Sequence, residues 1–192
     1  MLRLAFQVSE SSELLLALLD GDPGDPQSRS FHLGGSDGVL AAIELQGSTS
    51  TLNKLALGAW HYSQPVKRLD VELRSAAQER TGTSGGAYAL GEIGLLQHWH
   101  DRLDVDALAR VGFASGAVRD FATNLQVGIV VRQPFATGVG ESLGLGVTQS
   151  RTSAALRRAQ KAAGDRTASH ETAMELTYRR ALASWFAIQP DV

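Results

Sequence analysis

The sequence predicts an all-β protein whose strands form an antiparallel, up-and-down sheet. Apolar and polar residues alternate with a period of two in most segments, several of these segments are long, and short connections alternate with long ones. The clearest case is 120–132, where one face takes six residues: Phe121, Thr123, Leu125, Val127, Ile129 and Val131. About ten strands account for the chain.

The first half of the chain predicts five strands, near 2–8, 13–19, 38–45, 53–62 and 86–97. The longest apolar run, Leu14–Leu19, is far shorter than the roughly 20 residues of a membrane helix. Several strands reach roughly 9–12 residues, whereas strands of soluble sheets usually have five or six. Such lengths suit strands that cross a membrane at a tilt.

The second half predicts strands near 106–114, 120–132, 141–150, 169–179 and 183–192. Residues 152–165 instead predict a short helix in a loop, since they are rich in Ala, Leu, Arg and Lys and are followed by a stop at Gly164. Pro190 is unfavourable in a paired strand because it cannot donate a ladder hydrogen bond.

The connections favour a transmembrane barrel. The links at 20–37, 63–85 and 151–168 are long, those at 9–12, 46–52, 98–105, 133–140 and 180–182 are short, and 115–119 breaks the alternation. Loops that are long at one rim only are typical of outer-membrane barrels. A soluble antiparallel sandwich or barrel acting as a ligand-binding module remains the alternative, because the polar face would also suit a surface in water.

The amino-acid composition excludes several classes of binding partner and functional site. The net charge of −2 and the isoelectric point of about 6.2 give no reason to expect a nucleic-acid partner, and the absence of cysteine excludes disulfides, thiolate metal sites and a cysteine nucleophile. Met1 is followed at once by "LRLAFQVSE", which lacks the features of a signal peptide.

Charged and aromatic residues on the small, polar face are the candidate pore-lining residues. Charges of both signs in a lumen can orient a solute, and the alternative for any one of these residues is a solvated wall residue without a specific role. Trp60 and Tyr62 could stack on sugar rings in the lumen or belong to an aromatic girdle at the membrane interface. The set comprises Lys54, Trp60, Tyr62, Glu92, Arg110, Arg132, Glu171, Glu175 and Arg179.

No catalytic, metal or cofactor site is predicted. Ser84 in "GTSGG" lacks the strand–turn–helix context of a nucleophile elbow, and Glu171 and Glu175 would lie about 13 Å apart along a strand, too far for a glycosidase pair. "HWHD" (98–101) offers too few metal ligands, and the acidic loop beginning at Asp20 does not match the spacing of an EF-hand.

An ordered set of segments resembles the bacterial carbohydrate-selective porins. It runs "DGDPGDP" (20–26), "DGVLAAIELQ" (37–46), "LALGAWHYS" (55–63), "LARVGFAS" (108–115), "SLGLGVTQSRTS" (142–153), "ETAMELTYR" (171–179) and "WFAIQPDV" (185–192). The resemblance covers nearly the whole chain. It implies residues 1–192 are a partial porin domain, the C-terminal portion of an outer-membrane β-barrel, incomplete at both ends.

The resemblance also implies function without catalysis. Such porins let sugars and other small solutes diffuse passively through a water-filled lumen. The implied location is the cell outer membrane, and the implied partners are small sugars as solutes, membrane lipid, lipopolysaccharide and, for a full-length protein, further copies of the chain. About ten strands cannot close the barrel of a general porin, which has roughly 16.

Overall fold

The computed structural model describes residues 1–20, 38–69, 80–99, 103–135 and 140–192. These residues form ten strands and one helix. The elements are β1 (Leu2–Ser9), β2 (Ser12–Asp20), β3 (Val39–Gly47), β4 (Lys54–Lys67), β5 (Thr81–Trp99), β6 (Leu103–Ala114), β7 (Phe121–Arg132), β8 (Glu141–Thr152), α1 (Ala154–Ala163), β9 (His170–Ala183) and β10 (Phe186–Ile188).

The ten strands make one antiparallel sheet whose spatial order is the chain order, β1 to β10. The predicted up-and-down sheet of ten strands is therefore confirmed. The links after β2, β4, β6 and β8 lie at one rim, which we call the long-loop rim, and the links after β1, β3, β5, β7 and β9 lie at the other, the short-turn rim. The predicted segregation of long connections is also confirmed, with the short 115–120 link on the long-loop rim.

The strand boundaries in the structure differ most from the predicted ones at β4 and β5. The prediction ended β4 at residue 62 and began β5 at residue 86, but the strands continue to Lys67 and back to Thr81. Their pairing shifts between Tyr62 and Val66, a bulge that includes Pro65. Because a bulge leaves a residue outside the ladder, it accommodates a proline inside a long strand and hides the alternation from the sequence.

The last strand was predicted over 183–192, whereas β10 covers three residues, Phe186–Ile188. Pairing with β9 nevertheless continues: Tyr178 N donates to Pro190 O at 3.1 Å, and Leu176 and Val192 exchange both backbone hydrogen bonds. Pro190 interrupts the regular ladder because its nitrogen carries no hydrogen. The helix agrees closely with its prediction, starting after the N-cap Ser153 and ending at Gly164, whose φ of 82° is left-handed.

Most of the exposed large apolar side chains of the described residues lie on one face of the sheet, whereas Leu15, Leu90 and Leu108 are half-buried on the other. The exposed residues of the apolar face include Leu4, Phe6, Ile43, Leu45, Leu55, Leu57, Phe113, Leu125, Val127, Ile129, Leu145, Met174 and Leu176. The buried apolar residues in the same part of the chain are Ala56, Val118 and Ala155. A sandwich or a small soluble barrel would bury its apolar face, so this arrangement does not favour the soluble alternative.

Within the described residues, no helix combines the length and the hydropathy that crossing a membrane requires.

Candidate functional site

The strand register places all nine candidate pore-lining residues on the face opposite the apolar one, which we call the polar face. Residues directly opposite each other on neighbouring strands share a face, as do alternate residues along a strand. The linking pairs are Lys54↔Glu92, Leu90↔Arg110, Arg110↔Gln126, Gln126↔Thr148, Arg132↔Ser142, Ser142↔Arg179, Gly146↔Glu175 and Ser150↔Glu171. Trp60 and Tyr62 follow Lys54 along β4 in the same alternation.

Two aromatic rings on the polar face, one from β4 and one from β5, each lie over a glycine of the other strand. Gly58 pairs with Tyr88 and Trp60 pairs with Gly86, so each ring has a glycine opposite it. A Cβ added to Gly58 would meet the Tyr88 ring at 2.3 Å, and one added to Gly86 would meet Trp60 Nε1 at 2.7 Å. The absence of a side chain at both glycines therefore lets the two rings lie flat against the neighbouring strand.

An arginine guanidinium lies over each of these two rings. The Arg110 guanidinium carbon lies 5.0 Å from the centroid of the Tyr88 ring, and that of Arg119 lies 5.6 Å from the Trp60 ring. Both distances are within the range of a cation–π contact. The Tyr88 hydroxyl in turn donates to Glu44 of β3, so one polar chain of contacts runs from β3 to β6.

Arg119 comes from the 115–120 link at the long-loop rim and folds back onto β5. Its Nε donates to Ser84 Oγ at 2.8 Å, and Ser84 is fully buried. Ser84 lies inside the continuous strand β5, so the "GTSGG" segment has no strand–turn–helix geometry. The hydroxyl holds an arginine in position.

A second polar network lies on the same face at the short-turn end of β6. Asp106, 9% exposed, accepts from Asn53 Nδ2 at 3.3 Å and from Gln97 Nε2 at 3.2 Å, and it forms an ion pair with Arg132. These groups come from β5, β6, β7 and the link before β4. Of the candidate residues, Arg132 is thus the one that the structure neutralises with a carboxylate.

Two recesses open on the polar face around Trp60. One of about 200 Å³ is bordered by Tyr88, Arg110 and Asn124, and one of about 850 Å³ is bordered by Tyr62, Arg119 and Asp120. Trp60, Ala114 and Phe121 border both recesses. The alternation predicted Phe121 on the apolar face with Thr123, and this is wrong: the β7–β8 register shifts between these two residues, so that Phe121 pairs with Thr152 on the polar face. Glu171, Glu175 and Arg179 lie on β9 and do not border either one.

Sequence reasoning missed three residues that take part in the contacts around the Tyr88 and Trp60 rings: Glu44, Tyr88 and Arg119. Alternation along β3 and β5 could have identified the first two, since both occupy polar-face positions. No periodic signal could have identified Arg119, because it lies in a link.

The described residues contain no group of three or more His, Asp or Glu side chains arranged to hold a metal ion. The "HWHD" segment and the acidic loop lie largely outside the described residues: the structure does not describe 100–102 or 21–37, nor the side chain of His98.

The comparisons with known proteins agree with this architecture. A solved structure titled "High pH structure of Pseudomonas putida OprB" superposes with a TM-score of 0.81 at 16% sequence identity, covering 98% of this chain and 51% of that chain. The chain therefore spans about half the length of that protein. A comparison with curated protein sequences finds no match. The sequence matches the family described as "Carbohydrate-selective porin, OprB family" over residues 2–192, and since this match covers more than half of the chain, the chain belongs to that family.

Proposed function

We propose that the polar face lines a water-filled pore through which sugars diffuse passively. The observation that carries the proposal is the separation of the two faces: an exposed apolar face across the sheet, and a polar face bearing charges of both signs. An apolar face has no covering layer among the described residues, and lipid is the solvent in which it is stable. Family membership supports sugars as the solutes.

The location and partners follow from the same reasoning. The chain would act in the cell outer membrane, with lipid against the apolar face and lipopolysaccharide near the long-loop rim. As part of a full-length protein, the chain would form homo-oligomers in the same membrane. No chemical turnover is involved, and the nine candidate residues act by shaping the lumen and its field.

The experiment is solute flux into vesicles reconstituted with a closed barrel that contains this chain, because ten strands do not close a general porin barrel by themselves, and protein-free vesicles are the comparison. We expect a flux that does not saturate at low millimolar glucose and falls steeply for larger oligosaccharides, as for diffusion through a pore of fixed width. A flux equal to that of protein-free vesicles for every sugar would contradict the proposal.

Two neighbouring tryptophan substitutions make the assay specific for the polar face. A Cβ at Gly146 would have no atom within 4 Å, so Gly146→Trp would project an indole from the polar face of β8. Val147→Trp adds the same side chain on the apolar face, where aromatic residues are tolerated. We expect Gly146→Trp to reduce flux severalfold and Val147→Trp to leave it unchanged; equal effects of the two would count against the assignment of the faces.

A further inference from the structure

The apolar face of β8 and β9 changes from apolar to basic toward the long-loop rim. Three directly opposed pairs follow one another along the two strands on this face. In order toward the rim they are Val147↔Met174, Gln149↔Thr172 and Arg151↔His170. Arg151 and His170 are both exposed, so an arginine and a histidine mark the outer end of an otherwise apolar surface.

The position of Arg151 along β8 corresponds to the edge of the lipid layer. Val147 pairs with Val127, the seventh of the 12 residues of β7, so it lies near the middle of the sheet. Arg151 comes four residues later, which is about 13 Å along the strand and about 10 Å along the membrane normal at a tilt of about 40°. Half of an apolar band of about 25 Å is about 12 Å, so the long side chain of Arg151 can extend to the level of the lipid headgroups.

Helix α1 brings two further cations to the same place. Arg157 Nη1 donates to the carbonyl oxygen of Thr152 at 3.0 Å, and Thr152 directly follows Arg151 in the chain. Lys161 lies about one turn further along the helix, on the same side as Arg157, and it is exposed. We call Arg151, Arg157 and Lys161 the basic cluster.

Among the residues that the structure describes, no carboxylate lies within ion-pair distance of the basic cluster. Residues 151–170 contain five Arg and Lys side chains and one acidic residue, Asp165. Two acidic residues next to this segment belong to the polar face, since Glu171 pairs with Ser150 there and Asp120 borders the larger recess. The surface is therefore positively charged where it reaches the headgroup level.

The chemistry of the basic cluster suits phosphate groups. Lys and Arg residues clustered beside a membrane attract anionic headgroups, and a guanidinium can donate two parallel hydrogen bonds to one phosphate. His170 uses Nδ1 in a 3.0 Å hydrogen bond with Ser169 Oγ, so its Nε2 remains for a ligand. The long loops of such a barrel face the cell exterior, where the membrane lipid is lipopolysaccharide, a phosphorylated glycolipid.

We propose that the basic cluster binds the phosphate groups of a lipopolysaccharide molecule whose acyl chains lie on the apolar face of β8 and β9. Leu145, Met174 and Leu176 supply exposed apolar surface for those chains, and Met174 is 69% exposed. The proposal rests on the proposed pore function, because it requires the barrel in the outer membrane, and it names the residues that hold the lipid partner.

The test measures lipopolysaccharide binding to a closed barrel that contains this chain, purified in detergent, freed of lipopolysaccharide and labelled with a fluorophore. Arg151→Gln, Arg157→Gln and Lys161→Gln should each weaken binding about fivefold, since each cation near an anionic surface contributes about that factor. The triple variant should weaken binding about a hundredfold.

Two variants control for charge and face. Arg3→Gln makes the same change at the long-loop end of β1 but on the polar face, so it should leave the affinity for lipopolysaccharide unchanged. Arg151→Lys/Arg157→Lys keeps both charges and should bind within about twofold of the parent. The melting temperature of every variant in detergent shows whether the barrel is folded.

Three further probes identify the source of the anion. Lipopolysaccharide treated with phosphatase should bind the parent at least about tenfold more weakly, and the triple variant should not distinguish it from untreated lipopolysaccharide. Phosphatidylglycerol, which has a single phosphodiester, and inorganic phosphate, which has no acyl chain, should both bind more weakly than lipopolysaccharide.

Three results would overturn the proposal: unchanged affinity in the triple variant, an equal loss in Arg3→Gln, or phosphatidylglycerol binding as tightly as lipopolysaccharide. The outcome is separate from that of the flux assay, because the basic cluster lies off the polar face and the triple variant should retain sugar flux. Flux together with an affinity that the triple variant does not lower refutes the basic cluster alone. Affinity that depends on the cluster in a barrel without flux refutes the pore.

Discussion

Lysine substitutions at two neighbouring positions of β7 test which face meets lipid. Val127 lies on the apolar face and is 46% exposed, whereas Gln126 lies on the polar face between Arg110 and Thr148. We expect Val127→Lys to destabilise the membrane-inserted protein strongly and Gln126→Lys to have little effect.

The magnitude follows from the position of Val127 along the strand. β7 has 12 residues, which span about 40 Å at about 3.4 Å per residue. At a tilt of about 40° this projects to about 30 Å, slightly more than the apolar band of about 25 Å. Val127, the seventh residue, is therefore close to the bilayer midplane, where a lysine costs about 2–4 kcal/mol.

The control has a small cost of its own. Gln126→Lys brings a second positive charge beside Arg110, and such an exposed cross-strand pair costs on the order of 0.5 kcal/mol. The difference between the two variants should thus stay at about 1.5–3.5 kcal/mol.

The assay is reversible urea unfolding in lipid vesicles, followed by tryptophan fluorescence. With a denaturant slope of about 2 kcal/mol per molar, Val127→Lys should lower the midpoint by about 1–2 M and Gln126→Lys by less than about 0.3 M. Equal midpoints, or a larger loss at Gln126, would refute the assignment of the apolar face to lipid.

Two further substitutions test local contacts. Gly58→Ala should push the Tyr88 ring away from its bond to Glu44 and cost about 1–2 kcal/mol in the same unfolding assay, and adding Tyr88→Phe should cost little more because both changes remove one interaction; additive losses would contradict the contact. Ser153→Ala should remove the cap that accepts from Leu156 N at 3.1 Å, weakening α1 by about 1 kcal/mol, and amide exchange no faster in α1 than in the parent would show that the cap is unimportant.

The amino-acid sequence by itself determined the strands, their faces and the fold class. Which face a residue occupies is a local property of the pleated backbone, so alternation in a segment such as 123–132 is readable without any partner, whereas the bulge before Thr123 moves Phe121 to the other face. The helix was equally readable, because its start at Ser153 and its end at Gly164 depend on local capping.

Only the tertiary structure decided which polar-face residues meet. Tyr88 reaches Glu44 because the register of β3, β4 and β5 puts Gly58 between them, and register is set by pairing between distant segments. Arg119 reaches Trp60 because the 115–120 link folds over Ser84. Such contacts join residues far apart in the chain, so no periodic pattern encodes them, and this is why the sequence identified a polar face but not the arginine pair on it.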